Sequence, residues 1–332
     1  MPEASQPELP EKYKGRLRID PHIHMQEPLK GAPEVVEYLD RHGVDIGFLI
    51  ASPLREGKGP KTENIPALQK WWVGELGNTG FGHFVSGVIM RPLVKGMTVQ
   101  EVDNNRVIAA SKEHPDRLMA WIFANPGLEI RKTLDEMNSM ADRKDINVAG
   151  FKLHFWVYPT GITDLNVMQI ADLAEEKKLP ILIDVGVNRG NMKQFDEFAK
   201  AHPTIPIIAA HLGSFLPEVV ESAKKNANVF LDMSGYPVTG KNLRRIFDKL
   251  SPDKVINIGA GGTTQFGKAF DGAEDKIIFG SDSPGGLGGS IISQLKALHE
   301  ARLTPRQEDL ILTGNITSIV PKAAELLRAR NF

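Results

Sequence analysis

The chain of 332 residues contains no cysteine. This excludes disulfides, thiolate metal ligands and cysteine nucleophiles, and it leaves any metal to imidazole and carboxylate ligands. An excess of one charge is also missing: 40 basic residues stand against 41 acidic ones, a formal net charge of -1. No overall field draws the protein to nucleic acid or to an anionic membrane, so a small-molecule partner is the expectation. Long apolar runs are absent too. No stretch is long and apolar enough to span a bilayer, and the Pro-, Glu- and Lys-rich segment from Met1 to Lys14 lacks the apolar core of a secretory signal. A soluble, cytoplasmic protein with a flexible segment over residues 1–14 is predicted.

What is present is a regular alternation. With 41% hydrophobic and 24% charged residues, the chain can bury a large core, and composition admits one barrel or two smaller domains. Short apolar runs ending in polar residues or glycine recur at Leu17–His24, Ile46–Ser52, Leu118–Ala124, Val148–His154, Pro180–Gly186, Pro206–Leu212, Val229–Met233 and Lys276–Ser281. Helical spacing between them predicts helices at Ala32–His42, Glu129–Arg143, Val167–Lys178, Asn191–His202 and Leu216–Asn226, and later at Gly289–Ala301 and Thr317–Arg328. Eight such runs match a single (β/α)8 TIM barrel over residues 15–332. A doubly wound open sheet alternates in the same way, but no G-x-G-x-x-G turn follows the first run, and polar residues end many runs around the whole sheet. Two Gly-rich connections, at about residues 53–105 and 255–275, exceed what a βα loop needs. The first carries Trp71, Trp72 and a candidate extra strand at Phe84–Met90. Such insertions serve as lids or substrate walls, or are plain surface excursions.

The sharpest chemical signal is Asp20-Pro21-His22-Ile23-His24. Alternation along a strand predicts Asp20, His22 and His24 on one face, with Leu17, Ile19 and Ile23 on the other. Two imidazoles at i and i+2 make a half-site for a divalent cation, although H-x-H by itself is a common pattern. Further apolar strands end in Asp184, His211 and Asp232, and Asp282 follows the last one. Taken singly, each has a structural reading as a helix cap, a turn closure or a backbone-bonded histidine. Together they fall at the C-terminal ends of barrel strands, which converge on one mouth. Lys152 and His154 share a face of the fourth run, opposite Phe151 and Leu153, where a buried lysine can bind an anionic group or, if carboxylated, bridge two metals.

In this order the motifs resemble the amidohydrolase-related branch of the amidohydrolase superfamily, which holds metal-dependent hydrolases and aminocarboxymuconate-semialdehyde-type decarboxylases. The resemblance covers nearly the whole chain. Besides Asp20 to His24, it rests on His114-Pro115-Asp116-Arg117, Gly150-Phe151-Lys152-Leu153-His154, Ala210-His211-Leu212-Gly213, Gly280-Ser281-Asp282-Ser283-Pro284 and Gly314-Asn315. It implies one divalent metal ion, zinc or manganese, on His22 and His24, with Asp282 as ligand and proton-transfer group and His211 polarising or protonating the substrate. Where the family usually has a metal-binding histidine at the end of strand five, this chain has Asp184. Taken as a ligand, Asp184 gives two imidazoles and two carboxylates, a harder set that favours manganese or iron over zinc.

Two reactions fit these residues. In hydrolysis, Asp282 takes a proton from a metal-activated water, and the substrate carbonyl is polarised by the metal and His211; in decarboxylation, Asp282 or His211 protonates carbon. A metal-independent lactonase and a non-catalytic small-molecule-binding barrel stand beside them. Substrate contacts are expected from Lys152 and His154 and from Arg55, Trp156, Tyr158, Asn188 and Arg189, which follow barrel strands. The arginines suit a substrate carboxylate and the aromatics a ring or flat acyl group. The expected partners are a small-molecule substrate and a second copy in a homodimer, with no nucleic acid and no membrane.

Overall fold

A run that is apolar on both faces is fully buried only where its edges are paired and both faces are covered. The computed structural model describes residues 11–54, 98–185, 192–235, 240–250, 262–263, 269–270, 273–284 and 290–330. In it the apolar runs become β1 (Ile19–Met25), β2 (Ile46–Ala51), β3 (Leu118–Phe123), β4 (Val148–His154), β5 (Ile181–Asp184), β6 (Ile207–Ala209), β7 (Val229–Asp232) and β8 (Ile277–Ile278). They pair in chain order, every neighbour parallel. Parallel neighbours need crossovers, and helices supply them. The helices are α1 (Ala32–Arg41), α2 (Asn104–Glu113), α3 (Ile130–Ala141), α4 (Leu165–Lys177), α5 (Phe195–Ala201), α6 (Pro217–Lys225), α7 (Gly240–Leu250), α8 (Ile291–Glu300), α9 (Pro305–Asp309), α10 (Asn315–Ile319) and α11 (Pro321–Arg330). This is the expected (β/α)8 TIM barrel.

Two apolar layers result. Leu49, Ile122, Leu153 and Ile183 face outward against helix residues such as Leu39, Val107, Ile170 and Phe198. Phe48, Trp121, Leu182, Ile208 and Phe230 fill the barrel, and Ile316, Ile319, Ala323 and Leu327 of α10 and α11 join that inner cluster. Helices α2 and α7 go beyond those that spacing predicts. The helix expected over Thr317–Arg328 is two helices, because Pro321 has no N–H and pushes Val320 out of the helical region, to φ -124° and ψ 82°. Most of the insertions at 53–105 and 255–275, including Trp71, Trp72 and Phe84–Met90, lies outside the described residues. Among the described residues no helix is long and apolar enough to cross a membrane.

The face assignment on β1 needs correction. A bulge between Asp20 and Ile23 shifts the register, so Ile19 joins the inner cluster while Leu17 and Ile23 pack outward. Pro21, which cannot donate to a ladder, sits in the bulge, and the Trp121 indole donates to its carbonyl at 2.9 Å. Asp20 parts from the two histidines and faces the turn after β8: its Oδ1 accepts from Ser281 N at 3.0 Å.

The barrel closes in two different ways along its last edge. At the mouth, Asp282 N donates to His22 O at 2.8 Å and His24 N donates to Ser283 O at 2.7 Å. Lower down, the edge of β8 meets a π-helical turn (Leu310–Gly314) and the first residue of α10: Phe279 N donates to Ile311 O at 2.9 Å, and the Asn315 side-chain amide donates to Ile277 O at 2.8 Å. Asn315 is fully buried. Asn315→Leu is therefore expected to destabilise the protein by about 1–3 kcal/mol, the cost of an enclosed carbonyl left without a donor. Urea denaturation measures it, and an unchanged midpoint would show that the edge of β8 does not depend on this side chain.

Candidate active site

The strand ends and the turns after them build the site. His22, in the bulge of β1, and His24, just after it, meet Asp282 from the turn after β8: Asp282 Oδ1 lies 3.6 Å from His22 Nε2 and 3.2 Å from His24 Nε2. One ligand atom from each of these three residues falls within 4.8 Å of the others, the one such group among the described residues. His22 Nε2 is enclosed and has no hydrogen-bond partner. Burial, with Lys152 nearby, holds the His22 pKa well below the usual histidine value, so the ring is neutral and its lone pair available. An unpartnered imidazole nitrogen, a second imidazole and a carboxylate fit a divalent cation.

Asp184 stands elsewhere. Its Oδ2 lies 3.3 Å from His154 Nε2 and 3.2 Å from His211 Nε2, so the structure places it between two imidazoles and outside the group of His22, His24 and Asp282. Burial works to raise the Asp184 carboxyl, but the two histidines outweigh it and hold it well below the carboxylate range. The two rings respond differently. Burial pushes His154 down to about 4. For His211 burial acts the same way, yet the Asp184 carboxylate overcomes it and lifts the pKa to about 9. Geometry agrees, because His211 Nδ1 is 3.1 Å from the Ser234 carbonyl and its Nε2 faces a carboxylate, two acceptors that call for two N–H groups.

The backbone that carries His211 is unusual. His211, Leu212, Gly213, Ser214 and Phe215 have φ of 56°, 52°, 63°, 50° and 57°, one turn of left-handed helix closed by Ser214 N to His211 O at 3.0 Å and Leu216 N to Gly213 O at 3.0 Å. Asp282 is left-handed as well, at φ 59°. Each non-glycine residue in this region costs about 1–2 kcal/mol, so the surrounding packing must hold the turn in place. Gly235, at φ 74°, lets the chain pass close by: a Cβ there would stand 2.7 Å from His211 Nδ1 and 3.0 Å from Asp282 Oδ2.

Lys152 is buried, and burial lowers its pKa while Asp184, Asp232 and Asp282 oppose the shift. Phe123, His154 and Trp156 form a graded aromatic wall, with ring centroids 6.2 Å and 6.5 Å apart and interplanar angles of 29° and 27°. The Tyr158 ring packs edge-on against Phe123, and its hydroxyl donates to the Val99 carbonyl at 2.5 Å. Arg55, Asn188 and Arg189 lie outside the described residues. The sequence marks Asp232 only as one polar strand end among several and gives no signal for Ser234. In the structure Asp232 Oδ2 is 2.5 Å from His22 Nδ1, and Ser234 Oγ is 3.0 Å from His22 Nδ1 and 3.1 Å from His211 Nδ1. Alternation along β7 was the available signal, since it sets Asp232 on the face of inner-cluster Phe230. Burial pushes both Asp232 and Asp20 up to about 7.

Ser214→Gly relieves one left-handed position and is expected to raise stability by about 0.5–1 kcal/mol in urea denaturation; a loss would contradict the turn. NMR titration of the cation-free protein should give His211 a pKa near 9, falling toward the ordinary histidine value in Asp184→Asn. Because the folded value is raised, His211 stabilises the fold in full below its unfolded pKa of about 6.5 and loses that contribution as pH climbs through 9. The stability gap between wild type and Asp184→Asn should therefore narrow over that window, and a constant gap would refute the pairing.

Residues 75–321 match the model of a protein family described as amidohydrolase. No curated protein matches the chain in sequence. Among solved structures, a probable 2-pyrone-4,6-dicarboxylic acid hydrolase from Acinetobacter baumannii with bound citric acid is similar at 13% identity, covering 92% of this chain and 99% of that one, with a TM-score of 0.55. A dihydroxybenzoic acid decarboxylase from Polaromonas sp. JS666, with bound manganese and the inhibitor 2-nitroresorcinol, is 12% identical over 96% and 99%, with a TM-score of 0.57. The 5-carboxyvanillate decarboxylase from Sphingomonas paucimobilis is 11% identical over 92% and 99%, with a TM-score of 0.56. At these identities the likeness is one of fold.

Proposed function

The chain belongs to the amidohydrolase family, and from that premise we propose that it is a divalent-cation-dependent hydrolase of a small, carboxylate-bearing substrate. One observation carries the reading: His22, His24 and Asp282 converge, and the enclosed Nε2 of His22 has no other partner. These three residues would hold the cation, zinc or manganese. When bound, it supplies Lewis-acid polarisation of a substrate or water oxygen. Asp282 takes the proton of the attacking water at its carboxylate. His211, kept as an imidazolium between Asp184 and the Ser234 carbonyl, polarises the substrate carbonyl and gives its Nε2 proton to the leaving group. Lys152 and His211 draw in an anionic substrate. The wall of Phe123, His154 and Trp156 suits a planar one.

Decarboxylation is the second reading, and the cationic His211 favours it. With its pKa lifted to about 9, His211 carries a proton at neutral pH, and its Nε2–H, released from Asp184 as substrate enters, is the proton source for the carbon that loses carbon dioxide. The first test is elemental mass spectrometry on wild type and on His22→Ala/His24→Ala after loading with manganese or zinc. About one ion per wild-type chain, lost in the variant, is expected. A wild type that stays metal-free after dialysis against both ions would overturn the cation reading and favour a metal-independent lactonase. The loaded enzyme is then assayed on lactones and on aromatic carboxylic acids, with carbon dioxide release separating the two reactions. His211→Asn should lower kcat about 10²–10⁴-fold on whichever substrate turns over.

A further inference from the structure

Asp232 takes no part in the group that can hold a cation, yet its carboxylate is buried at the base of the site, 2% exposed. An enclosed carboxylate is costly unless its lone pairs are used. Here Oδ1 accepts from Ser234 N at 2.6 Å, and Oδ2 accepts from Ser234 Oγ at 3.0 Å while lying 2.5 Å from His22 Nδ1. The neighbouring chain makes room for it: a Cβ on Gly280 would stand 2.4 Å from Asp232 Oδ1. Both Ser234 donors are thus aimed at Asp232, and the remaining acceptor capacity of the carboxylate faces His22.

A neutral imidazole has one proton for two nitrogens, and the nitrogen that carries it cannot bind a cation. We propose that Asp232 is a positioning residue: its carboxylate fixes His22 as the tautomer protonated at Nδ1 and so leaves the Nε2 lone pair to the cation. Ser234 holds the carboxylate in that orientation. The inference rests on the cation-dependent reading above, and it adds a residue that acts through a ligand and touches neither cation nor substrate.

The arrangement makes the conservative substitution the harmful one. In Asp232→Asn the Ser234 amide keeps the side-chain oxygen, which turns the new NH2 group toward His22 Nδ1. An NH2 group cannot accept, so the Nδ1-protonated ring is left with only Ser234 Oγ, 3.0 Å away, and the balance shifts toward protonation at Nε2 and loss of the ligand lone pair. In Asp232→Ala the ring is only released. A role in packing alone predicts the opposite order, since Asn keeps the volume and Ala leaves a cavity.

The test combines long-range 1H–15N NMR of the imidazole nitrogens, in cation-free protein in mildly alkaline buffer, with calorimetric titration of manganese. Wild type should show His22 protonated at Nδ1. Asp232→Ala should bind manganese about 10- to 100-fold more weakly, and Asp232→Asn at least as weakly, with its His22 proton moved to Nε2. A thermal melt checks that each variant is folded; where one is not, the wild-type tautomer alone decides the assignment. His22 protonated at Nε2 in wild type overturns the proposal, as does an Asp232→Asn protein that binds manganese as tightly as wild type. A wild type that binds neither manganese nor zinc sinks the cation reading, and the tautomer measurement then still tests Asp232 independently.

Discussion

Two backbone hydrogen bonds, from His24 N to Ser283 O and from Asp282 N to His22 O, join the first strand to the turn after the last. The site depends on them. His22, His24 and Asp282 come from opposite ends of the chain, and only a closed barrel makes those ends neighbours. Asp20 reinforces the seam across 261 positions of sequence by accepting from Ser281 N. The same contacts hold Asp282 in its left-handed conformation, so the closure of the fold and the aim of a site carboxylate are one arrangement. Below the mouth, closure falls to Ile311 and Asn315, which leaves the upper seam to the functional turn.

Around the seam, environment rather than residue type decides what each histidine does. His22 and His154 are pushed toward the neutral form, chiefly by burial, while His211 is pulled to the charged form by Asp184. One neutral ring suits a cation and one charged ring suits proton donation, and both stand in one enclosed polar network. Two carboxylates sit among them, Asp184 between His154 and His211 and Asp232 against His22. Strain is concentrated on the same elements, since the left-handed turn carries His211 and the Asp282 turn faces it across Gly235. Such conformations persist where surrounding packing over-determines them, and here the buried Leu212 and the short turn bonds provide it.

Much of this was legible in the sequence. Eight apolar runs ending in polar residues located the strands to within a few residues, and the polar ends named His22, His24, His211 and Asp282 as neighbours before any coordinates. Alternation failed on β1, where Pro21 breaks the ladder and a bulge returns Ile19 to the interior. It also gave no means of pairing Asp184 with His154 and His211, or Asp232 with His22.

The sequence by itself determined the parallel barrel, because short, near-continuous apolar runs separated by helical segments have few other ways to bury both faces. It also determined which polar residues would meet at the mouth, because strand ends of one polarity share one rim. The tertiary structure alone decided which carboxylate serves which imidazole, which histidine is neutral and which charged, and where the backbone turns left-handed. Those depend on distances of a few ångströms between residues far apart in the chain, and on burial, which no local pattern encodes.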